Sequence, residues 1–324
     1  MKIAIITPMK QQDYLANTVL DGLIVLKEKQ SDIEWCISSK YPCPFPVVQY
    51  YRPISEFIEY AKSADYIFFI WGNDGNTDFK TAYKVNRWAR TVFIDGSEVG
   101  GNLRFDFNIQ MKILHGKYKK RGEIIPEMFE KCLLYCRREK PYFERILPLP
   151  FGIESRYHQF SNVVEKDIDF VCVFGSDDSP LLRRHSITIL NDFCKKNGLS
   201  CFTGRTSNQD EFYKLLSRAK VGVSIGGGGY DTARFWEILG NRCILLTETI
   251  DIFPVTSDAL NFNSIIQFNN AYDFLDRLEQ MKTILKDSES VNRLLSDYPK
   301  IIEKHSTSAR VQSIFNRLTE LTNN

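Results

Sequence analysis

The chain has 324 residues, longer than one typical domain, and at 43% hydrophobic it can fill full-sized cores. Its 42 basic and 40 acidic residues leave a formal net charge of +2, so no whole-protein field draws it to nucleic acid. Eight cysteines stand at 36, 43, 132, 136, 172, 194, 201 and 243 without a CxxC pair, which argues against both a zinc site and a disulfide framework.

Lys2 to Thr7 reads as a buried strand that Pro8 ends, too short for a signal peptide. Asp13 to Lys29 is amphipathic, with Leu15, Val19, Leu23 and Leu26 on one face. A strand is expected at Ile33–Ser38, a proline-marked loop at Tyr41–Pro46 and a short helix at Ile54–Ser63. Tyr66–Trp71 is a strand running into Gly72-Asn73-Asp74-Gly75, and a helix over Asp78–Ala89 leads to the strand Thr91–Ile94 and the tetrad Asp95-Gly96-Ser97-Glu98. This alternation is that of a doubly wound α/β domain. From Gly101 to Arg145 the pattern is irregular and rich in Phe, Lys and Arg. Its clusters Lys117–Arg121 and Arg137-Arg138 read as solvated faces, with phosphates or an anionic membrane surface as the other option. Leu147–Gly152 marks a crossing, and the expected division is 1–150, 151–306 and a final helix at 307–324.

Alternation then restarts: strand Asp169–Phe174, turn Gly175–Pro180, helix Leu181–Asn197, strand Ser200–Thr203, helix Gln209–Arg218. Val221–Ile225 enters four glycines, Gly226–Gly229, followed by Tyr230-Asp231-Thr232, a helix over Ala233–Leu239 and a strand over Cys243–Thr247. Strand, glycine loop, helix and strand form a βαβ unit, whose ligands sit beyond the carboxyl ends of the strands. Glycines there let a backbone approach a phosphate, although a merely flexible turn would look the same. A strand at Ile265–Phe268 and charged helices, the last amphipathic over Ser308–Leu321, complete the chain. No run reaches the length of a membrane span, and the expected setting is the cytoplasm, with or without membrane association.

Two Rossmann-like domains joined by a short linker resemble the GT-B glycosyltransferases, among them the group 1 and spore-maturation-like bacterial members. The main carrier is the run from Gly229 to Leu246, in which Arg234 and Glu237 on a helix precede Gly240 and a strand. Phe174-Gly175-Ser176 with Arg183 and Arg184, Pro148–Ile153, and His305-Ser306-Thr307 with Arg310 are similar to further parts of that fold. The resemblance implies two doubly wound domains facing across a cleft, with the C-terminal helix packing back toward the first. It also implies transfer of a sugar from a nucleotide-sugar donor to a glycan, surface-polymer or lipid-linked acceptor, without metal or other cofactor; the charge balance adds that no nucleic-acid partner is expected. Many retaining members hold the donor with two glutamates; Glu237 matches the second, and eight positions earlier stands Gly229, with Asp231 the nearest carboxylate. Retention of configuration therefore cannot be assumed.

Such a transfer needs cations or oriented N–H groups at the leaving diphosphate. The helix start after Gly228 and Gly229, with Tyr230, Asp231 and Thr232, offers the second. Arg234, Arg205 and Arg183 or Arg184 offer the first, beside Gly175 and Ser176. Arg234 suits a surface ion pair equally well. Glu237 fits the ribose hydroxyls or a salt bridge within its helix. An inverting reaction needs a base, for which Asp13, Asp74, Asp95 and Glu98 follow strands of the first domain. Asp95-Gly96-Ser97 is also a ready turn sequence. His115, His158, His185 and His305 are isolated and read as structural. Two other functions fit the same architecture, a sugar-nucleotide epimerase and a binding or assembly subunit without catalysis. A dinucleotide oxidoreductase does not, because Thr7-Pro8-Met9-Lys10 stands where GxGxxG would follow the first strand.

Overall fold

A computed structural model describes residues 1–9, 12–71, 77–98, 124–140, 142, 144–160, 165–175, 181–254 and 256–323. Asp74, His115, Lys117–Arg121 and Ser176 lie outside them.

The first half forms a parallel sheet in the order β2-β1-β3-β4-β5-β6, with strands Lys2–Ile6, Glu34–Ile37, Tyr66–Trp71, Thr91–Asp95, Leu134–Arg137 and Ile146–Pro148 numbered in chain order. The second half forms a parallel sheet in the order β11-β10-β9-β7-β8, from Ile168–Val171, Cys201–Phe202, Ala219–Ser224, Ile244–Glu248 and Ile265–Phe268. Strands buried on both faces read as unbroken apolar runs, which is why β1, β3 and β9 were visible in the sequence. The strands β5 and β6 were not. β5 is short and ends in Arg137-Arg138, which reads as a solvated basic pair. Both side chains are instead buried, Arg137 completely, because Arg137 faces Asp95 in register across β4 and β5.

Helix ends follow local chemistry. Asp13 caps Tyr14–Lys29 by accepting from the Leu15 and Ala16 N–H groups, and Asp78 caps Phe79–Val85, which stops at Asn86 in the left-handed region (φ 48°). The predicted helix over Asp78–Ala89 is thus shorter than the pattern suggested. Gly222 in β9 has the Ile238 side chain 2.7 Å from where a Cβ would stand, so the helix Ala233–Gly240 lies directly on the strand.

The final helix, Thr307–Asn323, crosses back to the first half and packs on Tyr14–Lys29. Gly22 permits that contact: a Cβ there would overlap the Thr307 carbonyl and stand 2.6 Å from Val311 Cγ2. Two chain crossings meet beneath it. Ile153 pairs with Ser306, its N–H donates to the His305 carbonyl at 2.8 Å, and Asp21 accepts from the Ser155 N–H at 2.8 Å and the Thr307 hydroxyl at 2.6 Å. One apolar cluster, including Leu149, Phe151, Trp236 and Val311, continues from one sheet to the other through these crossings. Among the described residues no helix is long and apolar enough to cross a membrane.

Candidate functional site

In both sheets the chain reverses direction of growth beside the first strand, between β1 and β3 and between β7 and β9. That is where open α/β sheets form a crevice beyond the strand ends. A cavity of about 550 Å³ occupies the second crevice. Its walls are Val173-Phe174-Gly175 after β7, Thr206, Asn208, Gln209 and Phe212 from the next loop and helix, and Thr232-Ala233-Arg234 with Glu237 at the start of the helix on β9. Arg183 closes one side, and Tyr14 reaches in from the first domain's leading helix.

The polar groups in this cavity are of two kinds. Arg183 donates to the Ile225 carbonyl through Nε (3.3 Å) and Nη2 (3.0 Å), and its guanidinium faces the Phe174 ring at 5.0 Å. Arg234 lies 3.6 Å over the Phe212 ring and 2.8 Å from Glu237 Oε2. The buried Nε and Nη1 of Arg234 make no hydrogen bond among the described residues, and Nη1 meets Glu237 as an ion pair. Glu237 Oε1 accepts from Tyr213 Oη at 3.2 Å and from Gln209 Nε2 at 3.5 Å. Thr232 caps the helix on the Phe235 N–H. Two arginines, a capped helix start and a carboxylate are groups that can receive a diphosphate and a ribose.

The predicted residues separate into those brought to this cavity and those held away. Gly175, Thr232, Arg234 and Glu237 line it. Of the arginine pair it is Arg183, not the exposed Arg184, that does so, and the exposed Arg205 yields its place to Thr206 and Asn208. Gly228, Gly229 and Tyr230 do not line it, and charged side chains stand against the glycine loop: Glu248 on Gly226, Arg183 on Gly227 and Glu139 on Gly229. Sequence reasoning missed Tyr14 and Glu139. The only sequence cue for Tyr14 was its place next to the helix-capping Asp13.

Two of the predicted site carboxylates, the base candidate Asp95 and the glutamate substitute Asp231, are held away from the cavity. Asp95 is wholly buried, paired with Arg137, accepting from Tyr135 Oη at 2.6 Å and from the Ser97 N–H at 2.8 Å. The turn reading of Asp95-Gly96-Ser97 describes it, and its carboxylate faces the sheet rather than a cleft. Asp231 is also wholly buried. Oδ1 accepts from Trp236 Nε1 at 2.7 Å, and Oδ2 from the Phe151 N–H at 2.8 Å and Arg138 Nε at 3.2 Å. With both oxygens engaged it braces the two domains and the linker. Burial raises its pKa, with Arg138 opposing the rise.

Arg138 is the centre of this junction. It donates to the Asp231 carbonyl, pairs with Glu98 at 3.2 Å, lies 4.0 Å from Glu139 and covers the Phe151 ring at 4.1 Å. Asp13 senses the same charges. Burial raises its pKa above the usual carboxylate range, its capping bonds and Arg138 pull it down, and Glu98 adds to the rise. Its Oδ1 is spent on the helix cap, while Oδ2 accepts no hydrogen bond among the described residues. His305 is a core residue, as expected: Nε2 lies 2.6 Å from the Ala259 carbonyl, Nδ1 accepts from Arg310, and burial drives its pKa far down. Among the described residues no group of three or more His, Cys, Asp or Glu side chains could hold a metal ion.

No protein-family model matches the sequence, and no curated protein does. Solved structures do match over the whole length. An α-glucosyltransferase solved with UDP and a 13-mer DNA aligns at a TM-score of 0.61 and 10% identity, over 98% of this chain and 99% of that one. A glycosyltransferase from Rickettsia africae aligns at 0.62 and 10% identity, over 100% and 99%. A candidate UDP-N-acetylglucosamine 2-epimerase from Listeria monocytogenes aligns at 0.51 and 9% identity, over 99% and 96%. Likeness at such identity is likeness of fold. With its two parallel sheets, opposed crevices and returning C-terminal helix, the chain has the GT-B fold.

Proposed function

We propose that the chain is a glycosyltransferase that uses a nucleotide-sugar donor without a metal. The observation that carries this reading is the cavity at the β7/β9 crevice, with Arg183, Arg234 and Glu237 in one wall and Tyr14 entering from the other domain. The diphosphate lies against Arg183 and Arg234 at the start of the helix Ala233–Gly240, where charge-assisted bonds and the helix dipole favour the leaving anion. Glu237 accepts from the ribose. Fold neighbours solved with UDP support a donor of this class.

The acceptor, a glycan or lipid-linked sugar, sits on the first domain's side, and Asp13 takes its proton. A carboxyl with a raised pKa is a stronger base than an ordinary aspartate, and the charge of Arg138 nearby opposes the rise. Glu98, paired to Arg138, stands as the alternative base. A near-zero net charge supports a glycan rather than DNA as acceptor.

Thermal-shift screening with UDP-, GDP-, ADP-, TDP- and CMP-linked sugars tests the reading. A donor at a hundredfold its Kd should add about 2.7 kcal/mol of stability, and a screen in which none stabilises the protein would refute it. An epimerase shares the fold, as the Listeria neighbour shows for its own chain. Conversion of the donor sugar in the absence of any acceptor would favour that reading. Binding without transfer, hydrolysis or conversion would favour a binding subunit.

A further inference from the structure

Each of three glycines in the loop Gly226–Gly229 has a charged group where its side chain would begin. Glu248 and Arg183, which stand over Gly226 and Gly227, belong to the same half of the chain as the loop. Glu139 does not. It follows β5 in the first sheet, and its carbonyl is held by Arg137 Nε at 2.7 Å. A Cβ on Gly229 would overlap Glu139 Oε1 and stand 2.9 Å from Cδ and 3.0 Å from Oε2. The Glu139 side chain is fully buried, accepts the Asp231 N–H at 2.8 Å and lies 4.0 Å from Arg138 Nη2. A buried carboxylate persists only where donors and cations face it. Here the N–H comes from the donor half and the guanidinium from the other half.

We propose that Glu139 is the positioning residue that docks the donor loop onto the first domain, a role that rests on the donor reading above. The donor is carried by Arg183, Arg234 and Glu237 of the second domain, and the proton acceptor Asp13 belongs to the first. The carboxylate of Glu139 fixes Asp231 N–H, three residues before Arg234, against the domain that carries Asp13. A side chain at 229 would have to push the Glu139 carboxylate out of the space it occupies. Loss of Glu139 leaves the donor's own contacts in place and misplaces the donor relative to Asp13, so turnover falls while donor affinity holds.

Glu139→Ala, Glu139→Gln, Gly229→Ala and the double Glu139→Ala/Gly229→Ala test this, with donor Kd by calorimetry, kcat of donor turnover, and amide hydrogen exchange over 226–232. Glu139→Ala is expected to lower kcat about 100-fold with Kd within about twofold, the scale of an ångström's misplacement at a reacting centre. Gly229→Ala should do the same by evicting the carboxylate, and the double variant should be no worse than Glu139→Ala. Glu139→Gln, which keeps an acceptor oxygen for Asp231 N–H, should recover about tenfold of the loss and retain the exchange protection of that amide. Turnover within twofold of wild type in Glu139→Ala, a loss in Kd equal to the loss in kcat, or multiplied losses in the double variant would overturn the proposal. Wild-type protein that takes no nucleotide sugar refutes the donor reading alone. The exchange data then decide Glu139: faster exchange at Asp231 in Glu139→Ala but not in Glu139→Gln upholds the docking role, and unchanged exchange ends it.

Discussion

Replacing Arg234 with alanine gives the sharpest test of the donor cavity. Its side chain is only 20% exposed, its guanidinium is stacked 3.6 Å over Phe212, and its Nε and Nη1 donors make no hydrogen bond among the described residues. A diphosphate would take those donors in charge-assisted hydrogen bonds worth about 1.5–3 kcal/mol, so Arg234→Ala should weaken nucleotide binding roughly 10- to 150-fold. The substitution also strips Glu237 of its ion-pair partner at 2.8 Å, and that carboxylate is nearly buried. An unpaired buried charge destabilises the fold by about 3–5 kcal/mol, which could pass for a binding defect. Glu237→Gln in the same protein removes that penalty. Arg234→Ala/Glu237→Gln should therefore regain stability in urea unfolding without regaining nucleotide affinity in calorimetry. Binding of the nucleotide by Arg234→Ala within twofold of wild type would sink the assignment of the diphosphate to this wall.

Asp13→Asn should leave the fold intact and abolish transfer. In the wild type kcat/KM should fall with decreasing pH along a limb set above the ordinary aspartate value of about 3.9, because burial raises this pKa and the base acts only when deprotonated. Asp95→Asn should behave in the opposite way: stability falls by about 3–5 kcal/mol as Arg137 loses its buried partner, while folded protein at low temperature still binds donor. Gly22→Ala places a methyl on the Thr307 carbonyl, and the clash should outweigh the gain in helix propensity by about 1–2 kcal/mol in urea unfolding. Burial pushes Glu248 up to about 7, above its unfolded value, so its contribution to stability is fully present below about pH 4.5 and is lost as pH rises through 7. Glu248→Gln should flatten that slope by about 3 kcal/mol between pH 4 and pH 8.

The sequence showed the fold wherever a strand was an unbroken apolar run ended by glycine or proline. β1, β3 and β9 are such strands, and the helix Ala233–Gly240 is framed by Thr232 and Gly240. It showed Arg234 and Glu237 because both lie on one short helix, where three-residue spacing fixes their side. It did not show β5, since a strand that ends in two arginines looks solvated until Asp95 and Asp231 are known to face them. Nor did it show Glu139, which is far in sequence from Gly229, whose side-chain space it fills. Spacing within one element is legible from sequence. Pairing across domains depends on where two distant strand ends meet, and no local pattern encodes that.

The acidic residues around Arg138 show how one charge pattern separates into different duties. Asp231, Glu98 and Glu139 all approach the same guanidinium, yet they differ in what else they hold. Asp231 engages both oxygens with donors from the linker, the helix and Arg138 and is wholly buried, so a substrate proton does not reach it. Asp13 spends one oxygen on its helix and keeps the other, and it sits one residue from the tyrosine that enters the donor cavity. Proximity to a cation therefore does not mark the base. Among the aspartates predicted for that role and described, only Asp13 combines an uncommitted oxygen with a position beside the donor.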